Sequence, residues 1–325
     1  MPGRTQRRGL VRRCVSPDVR LCFLIPASPT DGFRGQVAMF RRALDHLGGS
    51  YERARMIVTF GGEAIEPLPP RWLRYFKRIG VRHADPDEYI KHSYFAQGDA
   101  RWRNVPRDCD FAILSDADTM LLRPIDDLLA GLIREPRVAA SIAHYPFPQC
   151  PGETPEGKWA ALGRQFAGRE LPLEFQHTLA EPSAQDSARC PFYVNFGFVV
   201  VPRVYLDVIG RTVSQIRTQV AAMLCNPFFA TQIALTIAIY RHGIPHEAID
   251  VRYNFPNDQA AERRHSDSLQ DARLIHYLRT TRFDRHRIFA DEAAFDAFLG
   301  LPLSGSELLL QQHVRLITAG RYPFS

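Results

Sequence analysis

The first half of the chain alternates strand-like apolar runs with amphipathic helical ones, and that alternation leaves few folds open. Val19–Ile25 (VRLCFLI) reads as a buried strand, ended by Pro26 and the turn-rich stretch from Ser28 to Gly32. Val37, Phe40, Ala43, Leu44 and Leu47 then recur at helical spacing, and Gly48 and Gly49 stop the helix. A second strand covers Arg55–Phe60. A helical pattern carries Trp72, Tyr75, Phe76 and Ile79, and another surrounds Tyr89–Arg103. A strand at Phe111–Leu114, a helix starting near Pro124 and a strand at Val138–Ile142 close the series. Strand–helix alternation of this kind predicts an α/β fold with a mostly parallel central sheet flanked by helices.

From 144 to 190 the pattern breaks into an irregular insertion rich in Pro, Gly, Gln and Glu, with a short helical candidate near Trp159–Phe166. A segment of this length is either a surface loop or a functional lid. Regular structure resumes with a strand at Phe192–Val201, a helix at Val204–Gln219 and an all-round apolar helix at Phe228–Tyr240. After His246–Val251, Arg273–Tyr277 reads as a short strand, and Asp291–Ala319 as helical. The expected organisation is a flexible basic tail over 1–18 and one folded unit over 19–325. That unit divides into 19–143, the insertion 144–190, a second half 191–290 and C-terminal helices over 291–325.

Composition sets limits on partners. Of 41 Lys and Arg residues only three are lysines (Lys77, Lys91, Lys158), and 35 acidic residues nearly balance the total, for a net charge of +6. A nucleic-acid binder concentrates its positive charge on one face or arm. The compact basic run here is Arg4, Arg7, Arg8, Arg12 and Arg13, which reads as a solvated tail. Six cysteines (14, 22, 109, 150, 190, 225) form no C-x-x-C pair, a usage that fits reduced thiols, with Cys150 to Cys190 as a conceivable bridge. No apolar run reaches the roughly 20 residues that span a bilayer. Leu21–Ala27 is read as a first strand and not a signal segment. A cytoplasmic location is the expectation.

The segment from Asp110 to Leu122 (DFAILSDADTMLL) carries the chemistry. A buried strand runs directly into Asp116-Ala117-Asp118. Carboxylates two residues apart at a strand end point the same way, and unpaired they repel. A shared divalent cation resolves that conflict, at the carboxyl strand edge where open α/β sheets hold ligands. The bland alternative is a pair of solvated turn aspartates. A phosphatase of the haloacid-dehalogenase type would use Asp116 as nucleophile, but its Asp-x-Asp-x-Thr/Val pattern meets Met120 here. His276, in Leu274-Ile275-His276-Tyr277, is a second candidate ligand or a core histidine. An imidazole beside two carboxylates suits Mn²⁺, with Mg²⁺ the other choice.

These motifs in their order resemble metal-dependent glycosyltransferases of the GT-A fold, most nearly the family 8-like group that includes glycogenin and bacterial galactosyltransferases. The resemblance rests on Asp116/Asp118, Asn195-Phe196-Gly197, Thr231-Gln232, Tyr253-Asn254 and His276, and spans about Arg20 to Arg279. It implies that Asp116, Asp118 and His276 bind metal and that Asn195 and Gln232 face the donor sugar. It also implies that Ile25, Pro26 and Ala27 hold the nucleotide base, with Ser115 and Asp116 nearby, and that Arg101 or Arg103 contacts the donor. By the same token residues 19–143 would form the nucleotide-binding half and 191–290 the acceptor and metal half. Transfer from a nucleoside-diphosphate sugar, a UDP-sugar foremost, to a saccharide, lipid or protein acceptor with retention would follow. The sequence departs from the family at Thr231, where an Asp is usual. It departs again after His276, where Lys-Pro-Trp gives way to Leu278-Arg279-Thr280-Thr281-Arg282. Arg279 or Arg282 is the expected substitute cation at the diphosphate. If the insertion is a lid, its aromatic groups (Tyr145, Trp159, Phe166) and His144 would fold over the acceptor; the equal alternative is a variable surface loop. A chain that kept binding and lost turnover is the remaining alternative.

Overall fold

A computed structural model describes residues 19–93, 95–103, 105–179 and 189–325, so the basic run of the tail lies outside the described residues. In chain order these residues form β1 (Leu21–Ala27), β2 (Arg55–Phe60), β3 (Gly80–His83) and β4 (Phe111–Ser115). Next come β5 (Thr119–Leu121), β6 (Val138–Ile142), β7 (Phe175–Gln176) and β8 (Arg189–Cys190). The last are β9 (Val194–Pro202), β10 (His246–Ala248), β11 (Phe255–Pro256) and β12 (Leu274–His276). Seven strands make the central sheet in the order β10-β6-β9-β4-β1-β2-β3. All neighbours are parallel except those of β9, which runs antiparallel to both β4 and β6. The carboxyl ends of β1 and β4 therefore open onto one edge.

The strand–helix alternation explains the two cores. On β1, Leu21, Phe23, Ile25 and Ala27 join one core, and Cys22 and Leu24 the other, because successive side chains face opposite ways. A strand covered on both sides is apolar throughout. The first face is covered by Asp31–Leu47, through Val37, Phe40 and Leu44, and by Gly305–Thr318, through Leu310, Val314 and Ile317. The second face takes Arg203–Ala222, Ala230–Arg241 and Pro155–Ala167. Each fully buried aliphatic side chain contributes about 1.5–3 kcal/mol.

Several local readings need correction. The helix expected around Tyr89–Arg103 is two helices, Pro86–His92 and Phe95–Arg103, broken where Ser93 takes φ 53°. Trp72, Tyr75, Phe76 and Ile79 sit on a single helical turn, Pro70–Leu73, continued by turn hydrogen bonds, and are followed by the unanticipated edge strand β3. β5 was also not expected. The insertion is more ordered than its composition indicates. Thr154 caps Pro155–Ala167 by accepting from Gly157 N, and Gly168 ends it at φ 71°. Trp159 and Phe166 are 1% and 7% exposed within the second core, so neither is free to cover an acceptor; Tyr145 is exposed.

Cys150 is bonded to Cys225, 75 residues further on, while Cys22, Cys109 and Cys190 are free and buried. Cys190 sits in β8 against the second core and is no partner for Cys150. The disulfide removes the thiol-based reason for expecting a reducing compartment. No described helix is long and apolar enough to cross a membrane.

Candidate metal centre

The apolar run of β4 ends at Ser115, and the chain turns at once. Thr119 Oγ1 donates to Asp116 O at 2.7 Å, which bends the backbone so that Thr119–Leu121 leaves the main sheet as β5. β5 pairs antiparallel with β12 in the register Thr119↔His276, Met120↔Ile275 and Leu121↔Leu274. The seam extends one residue further, where Tyr277 N donates to Asp118 O at 2.9 Å. This register carries His276 across more than 150 positions of chain to the two aspartates.

His276 Nε2 lies 3.3 Å from Asp118 Oδ1 and 3.8 Å from Asp116 Oδ2. One ligand atom from each of the three residues falls within 4.8 Å of the others, a set that could hold a metal ion. Burial and the Asp118 charge raise the pKa of Asp116. Burial opposes the charged form of Asp118 too, yet His276 and Arg285 outweigh it and hold Asp118 down at about 2. Burial works against the His276 imidazolium, but Asp118 and Asp116 overcome it and raise its pKa. The two carboxylates are thus balanced in this structure by His276, Arg285 and Arg101, the cations that act on Asp116 against burial and the Asp118 charge.

The surrounding motifs position these ligands. A Cβ at Gly197 would overlap His276 Nδ1 and Asn254 Oδ1, so only glycine lets β9 pass. Asn195 Oδ1 accepts from Gly197 N at 2.8 Å and from Asn254 Nδ2 at 2.9 Å. Asn195 and Asn254 thus brace each other across the seam, and Tyr253 OH donates to Asp127 Oδ2 at 2.9 Å. Ser115, expected at the cofactor, is fully buried and donates to Gly197 O at 3.1 Å, a bond that ties β4 to β9. Gln232 Oε1 accepts from Tyr193 OH at 3.0 Å, and Tyr193 stacks edge-on with Trp159 and Phe147.

The cations separate clearly. Arg101 is 2% exposed, lies 4.7 Å above the Phe196 ring, and has Nε and Nη1 without hydrogen-bond partners. Burial pushes its pKa down to about 10 against the pull of Asp116 and Asp99. Arg103, on the same helix, is exposed and lines a surface hollow with Leu206 and Asp207. Arg279 is paired with Asp258 at 2.8 Å, and Arg282 donates to Pro302 O at 2.9 Å, so neither reaches the acidic pair. Arg285 does: its Nη1 donates to Asp118 Oδ2, and to Leu278 O at 2.8 Å. Sequence reasoning missed Arg285 because it is one of several arginines in an irregular stretch with no periodicity to orient them. It also assigned His144 only loosely. That ring is 8% exposed, with Nδ1 2.7 Å from Thr178 Oγ1 and Nε2 unpartnered. Ile25 and Ala27 are buried at the carboxyl end of β1, beside β4, with Pro26 half-buried.

The sequence matches no protein-family model and no curated protein. Among solved structures, the chain is similar to the apo WbbM bifunctional glycosyltransferase (TM-score 0.49, 12% identity), with 81% of this chain on 46% of that one. It is similar to the galactosyltransferase LgtC bound to donor and acceptor sugar analogues (TM-score 0.48, 13% identity, 89% of this chain and 99% of that one). Mouse xyloside xylosyltransferase 1, in its apo form, gives 0.46 and 12% over 81% and 99%. The chain thus spans less than half of WbbM and nearly all of the other two.

Proposed function

We propose that this protein is a metal-dependent glycosyltransferase that moves a hexosyl group from a nucleoside-diphosphate sugar, a UDP-sugar foremost, to a saccharide, lipid or protein acceptor. The observation that carries this reading is the convergence of Asp116, Asp118 and His276 at the carboxyl edge shared by β1 and β4. In open α/β sheets that edge is where a nucleotide lies. In this reading residues 19–143 hold the nucleotide, with the base at Ile25–Ala27, and 191–290 supply the ligand His276 and the sugar-facing groups.

Breaking the bond from sugar to diphosphate develops negative charge on the leaving phosphate. When bound at Asp116, Asp118 and His276, a divalent cation, Mn²⁺ by the imidazole in the set, would supply Lewis-acid neutralisation of that charge. The chain's own residues do the rest. Arg101, held dry above Phe196 with two donors unspent, adds fixed positive potential beside Asp116. Gln232, oriented by the Tyr193 hydroxyl, positions the sugar and polarises it without acting as a base. With no carboxylate at Thr231, retention would proceed by acceptor attack on the face the diphosphate leaves.

Asp118→Asn tests the reading. It should lower transfer and donor hydrolysis by roughly 10²–10³-fold while the circular dichroism spectrum and melting point stay close to those of the parent. A variant that keeps full activity in the presence of chelator would remove the metal centre from consideration. Nucleoside diphosphates screened by thermal shift should raise the melting point for one base, and only with Mn²⁺.

A further inference from the structure

Arg285 is held in place far more firmly than an arginine in an irregular stretch needs to be. The Asp31–Leu47 helix lies against its backbone so closely that a Cβ at Gly32 would strike His286 O and one at Gly35 would strike Phe289 O. Gln36, fully buried in that helix, donates through Nε2 to Arg285 O at 3.0 Å. Asp284 Oδ1 accepts from His286 N at 2.8 Å, and His286 packs on Phe33 with ring centroids 5.1 Å apart. The backbone at Arg285 is therefore fixed to the helix that follows β1, next to the strand end read as the nucleotide site. From that mount the guanidinium reaches Asp118 Oδ2 and Leu278 O. Both oxygens of Asp118 are then engaged, Oδ2 by Arg285 and Oδ1 by His276 at 3.3 Å.

The geometry points to Arg285 as a resident cation that competes with the metal for Asp118 until a diphosphate draws it away. The inference rests on the metal and donor reading above and concerns how that site is loaded. A guanidinium and a divalent ion on one carboxylate repel strongly at a few ångströms. A diphosphate offers the planar guanidinium a better, bidentate partner, and in the donor reading it lies at the metal on Asp118, within reach of the guanidinium that now holds that carboxylate. Once Arg285 turns onto the phosphate oxygens, Asp118 is released to the ion. Metal and nucleotide then bind as a pair, each raising the affinity for the other by the same factor.

The test measures Mn²⁺ binding alone by the loss of the free-ion electron paramagnetic resonance signal, for the parent, Arg285→Met, Arg285→Lys and Asp118→Asn. Removing the competing charge should make Arg285→Met bind Mn²⁺ alone about tenfold more tightly than the parent. Arg285→Lys should stay near the parent. With UDP present, and after allowing for the complex of Mn²⁺ with UDP in solution, the parent should gain at least about tenfold in Mn²⁺ affinity and Arg285→Met should gain little. Circular dichroism melts confirm that each variant is folded. Unchanged or weaker binding of Mn²⁺ alone by folded Arg285→Met would overturn the competition. Undiminished binding by Asp118→Asn would instead remove the metal centre itself, and the competition with it.

Discussion

The two sides of the acidic site are built by different means. On one side, β11, β12 and β5 form a ladder that backbone hydrogen bonds extend at its ends: Leu122 N to Arg273 O at 2.7 Å, Tyr277 N to Asp118 O at 2.9 Å and Asn257 N to His276 O at 3.1 Å. On the other, the insertion folds back beside the end of β6 through Thr178 N to Ala143 O at 3.4 Å and onto its own start through Leu179 N to His144 O at 3.1 Å. Its other anchors are side chains: Trp159, Leu162 and Phe166 in the second core, Lys158 on Met223 O, Arg169 on Tyr240 O, and the Cys150–Cys225 bond. A strand ladder sets ligand positions to a fraction of an ångström, as a coordination sphere demands. A loop held by buried aromatics and a crosslink tolerates change at its exposed parts. The lesson is that precision here lies at the seam, and adaptability at the insertion.

Three perturbations sharpen that contrast at the metal centre. Gly197→Ala attacks the seam, since the new methyl overlaps His276 Nδ1 and Asn254 Oδ1. It should weaken Mn²⁺ binding by roughly 10–100-fold and lower stability by about 1–3 kcal/mol. Isothermal titration and urea unfolding would measure both, and parental Mn²⁺ affinity would show that the seam yields. His144 probes the insertion side through pH. Burial holds its folded pKa down at about 3, far below the ordinary 6.5. The unfolded chain therefore takes up the proton first, and stability falls as pH drops below about 6.5, by up to about 1.4 kcal/mol per pH unit. His144→Gln should flatten that slope in melts between pH 6.5 and 4.5; an unaltered slope would place the titration elsewhere. The mildest effect on the metal comes from Cys150→Ser. Opening a crosslink between residues 75 apart should cost about 2–4 kcal/mol of stability, with Mn²⁺ affinity within about twofold of the parent. A larger loss of affinity would mean that the insertion shapes the seam after all.

Much of this was legible in the residue order. VRLCFLI and FAILS declare strands buried on both faces, and the Thr154 and Pro155 cap with Gly168 marks a helix inside a stretch of unpromising composition. Asp116 and Asp118 announced themselves by their place after β4, although the turn closed by Thr119 on Asp116 O, and not strand alternation, brings the two carboxylates together. Other features were hidden. β3 and β5 have four and three residues, too short for periodicity to register. The break at Ser93 depends on a left-handed backbone that serine seldom adopts. Cys150 found Cys225 because the loop at 150 and the segment just past the Arg203–Ala222 helix come together in space, which spacing along the chain does not encode.

Local order along the chain thus determined the elements, the two-faced core and the pair of carboxylates, since propensity, periodicity and turn chemistry act over a few neighbouring residues. Which histidine and which arginine meet that pair was decided by long-range register and packing alone. β12 pairing with β5 delivers His276, and the Asp31–Leu47 helix pressed against residues 286–289 delivers Arg285. Such contacts join residues far apart in the chain, and they exist only once the whole core has closed around them.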